Sequence, residues 1–227
     1  MKLSQSYIEL NGEIIIILFL AYYYEKHKNT VVRAKKGIDP IKLIRKISQY
    51  AHENTIFTAD VGANQMWVAQ ALRLKENQRL LNSAGFGAMG YSLPAAIGAS
   101  YVAPNVVCFT GDGGLQMNLQ ELNTLGLKQN NVKCFIFNNN NLGLMRDTQS
   151  RYYNNHFYGN NPKEFCCPNI KKLAETFNLN YLKIEDVSDF EKLADFFQDK
   201  KPYLIDVIID INTSPLNRYD DEALKNA

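Results

Sequence analysis

The chain has 227 residues, 46% of them hydrophobic and 21% charged, the balance of an ordinary globular protein with apolar material for one sizeable core. Its formal net charge is only +2, with 25 basic residues scattered among 23 acidic ones. That distribution offers a polyanion no basic patch, so nucleic acid is not expected as a partner.

Near the N-terminus, the apolar run "IIIILFLA" leads into Tyr22, Tyr23 and Tyr24 and then a basic stretch. The run falls well short of the ~20 residues that a membrane-spanning helix needs. Glu9 and Glu13 precede it and no small-residue cleavage site follows, which is unlike a secretory signal. Residues 1–37 are therefore read as an irregular adapter or remnant, with no membrane segment. A single folded domain is expected over 38–212, and a polar tail over 213–227.

From Ile38 the pattern becomes regular. Asp39 is placed to cap a helix that opens at Pro40 and repeats Ile41, Ile44, Ile47 and Tyr50 at helical spacing. A strand over 55–59 follows, then the loop "DVGANQ" and a short helix around "MWVAQAL". The stretch "QRLLNS" makes a poor buried strand, and Pro94 disfavours a helical Leu93, so the helix of "LPAAIGASYVA" is expected to start after the glycine loop.

Buried strands at 106–109 and 132–137 flank a helix of roughly 15 residues, about 22 Å long, marked by Leu115, Leu119, Leu122 and Leu125. Helices in "NIKKLAETFNL" and "DFEKLADFFQ" then alternate with the strands "YLKI" and "YLIDVII". This alternation predicts an α/β fold: a doubly wound parallel sheet with helices on both faces.

Cys108, Cys134, Cys166 and Cys167 form no C-x-x-C pair, and His27, His52 and His156 are widely separated. They read as reduced core thiols of a cytoplasmic protein, without a zinc site.

In such a sheet, ligands bind beyond the carboxyl ends of the strands. One strand end is followed by "GDGG" (Gly111, Asp112, Gly113, Gly114), and the next by the asparagines 138–141. If those two strands pair, their ends lie ~4.8 Å apart. Asp112 and Asn139 then both present oxygen to one small space, a donor set suited to Mg²⁺ that leaves vertices for phosphate oxygens and water. Gly113 and Gly114 open the following helix, where bare N–H groups and the positive helix end favour a diphosphate.

Glycines 85, 87 and 90 also match the G-x-G-x-x-G spacing of dinucleotide sites, and Asp112 lies near where a ribose-binding acid is expected. The poor strand before them counts against a dinucleotide-dependent oxidoreductase, which is kept as a lesser alternative.

The stretch "GDGGLQMNLQELNTLGLKQNNVKCFIFNNNNLGLMRDTQ" resembles the thiamine-diphosphate motif of the acetolactate synthase large-subunit family, and "VGANQMW" and "AGFGAMGYSLPAAIGA" are similar to further segments of it. The resemblance covers roughly residues 38–212. It implies thiamine diphosphate and Mg²⁺ as cofactors, with Asp112 and Asn139 binding the metal through their side chains and Asn141 through its backbone carbonyl. Gly113 and Gly114 would cradle the diphosphate, helped by the loop of Gly62, Ala63, Asn64 and Gln65. The backbone of Gly87 would meet the cofactor's amino group, and Met89 would be the apolar residue that bends the cofactor. The implied binding set also takes in Ala88, Gly111, Leu142 and Gly143.

The activity implied is decarboxylation and carboligation of a 2-keto acid substrate. The family's glutamate partner for the pyrimidine ring belongs to another domain. A separate chain bearing that domain, in a homo- or hetero-oligomer, is therefore expected, and FAD is not expected in this chain. Ala63 and Asn64 stand where the family carries Gln and His, and Thr148 where it carries a substrate-channel Trp, which leaves the identity of the acceptor open. A second alternative is a nonenzymatic remnant or regulatory partner that keeps the fold.

Overall fold

The computed structural model describes residues 37–161 and 163–215. The adapter expected over 1–37 lies outside them save for Gly37, as does the expected tail beyond residue 215.

Six parallel strands form one sheet: β1 (Thr55–Ala59), β2 (Arg79–Asn82), β3 (Asn105–Gly111), β4 (Val132–Asn138), β5 (Asn180–Ile184) and β6 (Tyr203–Ile208), in the order β2-β1-β3-β4-β6-β5. The helices are α1 (Pro40–Tyr50), α2 (Ala63–Ala71), α3 (Ser92–Ala99), α4 (Asp112–Met117), α5 (Glu121–Lys128), α6 (Gly143–Tyr152), α7 (Ile170–Thr176) and α8 (Leu193–Phe196). The doubly wound parallel sheet read from the sequence is thus the observed architecture.

Burial on both faces explains why the central strands are continuous apolar runs. One core joins α1, α2 and α8 to Phe57, Phe109, Phe135 and Phe137 of the sheet. The other joins α3, α5 and α7 to Val106, Cys108, Cys134 and Ile136. Across neighbouring strands Phe57, Phe109 and Phe137 stack with centroids 6.2 and 6.0 Å apart, each burial contributing roughly 2 kcal/mol. At the start of α1, Asp39 Oδ1 accepts from the backbone N–H groups of Ile41 and Lys42, at 2.9 and 3.3 Å, the cap read from the sequence.

The structure corrects four local readings. "RLLN" is a strand, but an edge strand with one exposed face, which is why it lacks the apolar run of its neighbours. Leu93 is helical although it precedes Pro94: its side chain is buried in the α3 core, which outweighs the local bias. The expected long helix is two short ones, broken at Asn118, whose amide turns to the Gly90 carbonyl at 2.8 Å. Among the cysteines, Cys108 and Cys134 are core thiols, whereas Cys166 is exposed and Cys167 half-buried.

Helix α6 had no apolar stripe to announce it and buries none of its residues fully. Residues 213–215 lie against the body: Gln70 Nε2 donates to the Pro215 carbonyl at 3.0 Å and Ser214 Oγ to Asp147 Oδ1 at 2.6 Å. Among the described residues no helix is long and apolar enough to cross a membrane.

Candidate cofactor and metal site

Strands β3 and β4 pair with Gly111 opposite Phe137, so Asp112 and Asn139 emerge side by side at the carboxyl edge of the sheet. Asp112 is 2% exposed; its Oδ1 accepts from the Gly113 N–H at 2.9 Å and its Oδ2 from the Asn141 N–H at 3.1 Å. The same Asn141 N–H reaches Asn139 Oδ1 at 3.1 Å, so the three residues expected around a metal converge on one peptide. Burial pushes the Asp112 carboxyl up to about 7, and among the described residues no cationic side chain figures among the causes that offset it. A buried, uncompensated carboxylate of this kind favours a bound cation.

The asparagine loop is pinned from outside. Asn160, fully buried, accepts from the Leu142 N–H at 3.0 Å through its side chain, and its carbonyl takes the Asn141 Nδ2 donor at 2.8 Å. That leaves Asn141 Oδ1 buried without a partner among the described residues. Two residues that line the same space, Asn64 and Trp67, each bury a polar atom, Oδ1 and Nε1, that has no partner among the described residues. Orphaned polar atoms in a native interior call for a ligand or water.

These residues border a cleft of about 450 Å³ between the ends of β1, β3 and β4 and the first turns of α2 and α6. Of the binding set expected from the sequence, all but Gln65 and Ala88 line it. Gln65 lies in α2 with its N–H on the Gly62 carbonyl at 3.1 Å, and Ala88 is exposed, its N–H on Ser83 Oγ at 3.1 Å. Gly87 is left-handed, with φ 56°, and Met89 extends to within 3.5 Å of where a Cβ on Gly113 would sit. Such a Cβ would also strike the end of the Leu142 side chain, so it would fit only if Leu142 swung aside. Thr148 lines the cleft from α6.

Asp60, Trp67 and Asn160 were not singled out by sequence. Asp60 stands directly after β1, and the strand-end rule that found Asp112 would have found it. Its carboxylate accepts from the Val61 and Gly90 N–H groups and from Thr110 Oγ1. The Gly90 N–H is therefore already engaged, which takes away one of the donors that a dinucleotide reading of glycines 85, 87 and 90 would need.

The donor set tests well for a hard cation. It offers one carboxylate and amide or peptide oxygens, with no cluster of three or more His, Cys, Asp or Glu among the described residues. This set suits Mg²⁺ completed by phosphate oxygens and water, and does not suit zinc.

Fold and site together define a cofactor-binding domain whose site lies at the carboxyl edge of a doubly wound parallel sheet. The chain belongs to the family described as thiamine pyrophosphate enzyme, C-terminal TPP binding domain, whose family model matches residues 60–207. It is 37% identical over 177 residues to the acetolactate synthase large subunit of Cyanidium caldarium, covering 77% of this chain and 30% of that protein. It is 38% identical over 182 residues to acetolactate synthase isozyme 1 large subunit of Escherichia coli K12, covering 77% and 32%. The solved structure of a Rhodococcus jostii RHA1 thiamine diphosphate-dependent 4-hydroxybenzoylformate decarboxylase superposes with a TM-score of 0.70 at 22% identity, over 82% of this chain and 35% of that one. The chain thus spans about a third of the length of these relatives.

Proposed function

We propose that the cleft binds thiamine diphosphate with Mg²⁺, and that the chain is the cofactor-binding part of an acetolactate synthase-like enzyme that decarboxylates and carboligates 2-keto acids. The observation that carries this reading is the buried carboxylate of Asp112 meeting the Asn139 oxygen at the Asn141 peptide. Asp112 and Asn139 would hold the metal through side-chain oxygens and Asn141 through its carbonyl. Gly113 and Gly114 let the diphosphate approach backbone, where any Cβ would collide with Leu142 or Asp60.

When bound, the cofactor supplies the electron sink that a decarboxylation requires. The chain's own part is positioning: the Gly87 carbonyl accepts a proton-bearing amine, and Met89 supports the ligand from below with an apolar side chain. Leu142, Leu144 and Met145 keep the surroundings apolar, which favours a step that loses charge. Thr148, a small residue on the cleft wall, leaves space there for an acceptor other than a second pyruvate.

The domain acting in this way is taken as 38–212, around the matched segment 60–207. A chain bearing a pyrimidine-binding domain would complete the site in an oligomer, and a cytoplasmic setting suits the free thiols. Trp67 is the sole tryptophan and lines the cleft, so its fluorescence reports the site. Thiamine diphosphate with Mg²⁺ is expected to quench it saturably, with reversal by EDTA; an emission indifferent to both would contradict the reading.

A further inference from the structure

The Gly90 peptide is gripped from two sides. Its N–H donates to both carboxylate oxygens of Asp60, at 2.9 and 3.1 Å, and its carbonyl accepts from Asn118 Nδ2 at 2.8 Å. Gly90 has φ +83°, and a Cβ there would lie 2.7 Å from Asn118 Nδ2 and from Met117 Cβ, so the grip closes only on glycine.

Each side of the grip is itself anchored to a different part of the site. Asp60 is fully buried at the end of β1, where it also accepts from the Val61 N–H at 2.9 Å and from Thr110 Oγ1 at 3.1 Å. Its Oδ2 would stand 2.7 Å from a Cβ on Gly114, so it lies directly against Gly114 of α4. Asn118 occupies the break between α4 and α5, in a non-helical conformation with φ −136° and ψ 40°. The helix interruption therefore delivers a donor to the glycine loop.

We propose that Asp60 and Asn118 are positioning residues. By clamping the Gly90 peptide they fix the height of Met89 and Gly87 above the Gly111–Gly114 floor, and so set the preference for thiamine diphosphate over a bare diphosphate. The inference rests on the cofactor reading given above and deepens it. Neither side chain hydrogen-bonds Asp112, Asn139 or Asn141, so the clamp acts on the ring end of the ligand and not on its metal end.

The test measures two affinities on the 227-residue chain, each with Mg²⁺: one for thiamine diphosphate and one for inorganic pyrophosphate, both followed by Trp67 emission. Asp60→Asn keeps the shape and removes the charge; Asn118→Ala removes the donor at a half-buried position. Each variant is expected to bind thiamine diphosphate about tenfold more weakly, the loss of roughly one hydrogen bond, with pyrophosphate affinity held within about twofold. Equal weakening toward both ligands would reduce the clamp to a structural role, and unchanged affinities would dismiss it. A wild type that binds the two ligands alike would instead remove the cofactor reading, and the clamp's function with it.

Discussion

At the scale of single residues, the site depends on where a carboxylate stands and where side chains are missing. Gly113 shows the second point: a Cβ there would press on the flexible end of Leu142 and touch the tip of Met89 and the edge of the Phe165 ring, side-chain atoms and no backbone. Gly113→Ala is therefore expected to fold, melting within a few degrees of wild type, yet to lose about tenfold or more in thiamine diphosphate affinity because the floor of the cleft rises. Calorimetric titration beside a thermal melt checks both halves. Asp112 and Asn139 were legible in the sequence because the apolar runs before them mark strand ends. Asp60 obeys the same rule, but its partners sit at 90 and 110, far along the chain, and nothing local to "DVGAN" announces them. Asn160 was illegible for a similar reason: an asparagine in a polar loop looks solvated until the fold buries it.

At the scale of elements, Gly126 marks the closest approach. A Cβ there would run into the backbone carbonyl of Phe177, where α5 passes the end of α7. Because backbone and not a side-chain tip must give way, Gly126→Ala is expected to cost about 2 kcal/mol or more, read as a lower urea midpoint at unchanged slope. Strands β4 and β6 are tied by Asn138 Nδ2 donating to Asp206 Oδ1 at 2.8 Å. Burial holds the Asp206 carboxyl above its ordinary value of 3.8, so ionising it costs more in the folded chain than in the unfolded one. Its contribution to stability is thus fullest in acid and falls as pH rises past about 4. Asp206→Asn, which keeps the shape, is expected to gain on wild type as pH rises from 4 to 8 in urea unfolding; a difference independent of pH would contradict this. The central strands were legible from their apolar runs. Strand β2, the Asn118 break and α6 were not, because each is shaped by long-range contacts or by solvent on one side.

At the scale of the whole molecule, the chain spans about a third of the length of relatives named acetolactate synthase, and its family is a cofactor-binding one. If, as proposed, another domain holds the pyrimidine side of the cofactor, the 227-residue chain is expected to release negligible CO₂ from pyruvate. Release is expected to appear on mixing with a chain that carries that domain; full turnover by this chain alone would contradict the division of labour. The central claim, that Asp112 anchors a metal-bound thiamine diphosphate at the carboxyl edge of the sheet, is tested most directly by calorimetric titration of the 227-residue chain and its Asp112→Ala variant with thiamine diphosphate and Mg²⁺. Saturable, Mg²⁺-dependent binding by wild type that vanishes in the variant is the expected result. Equal binding by both proteins would place the ligand elsewhere.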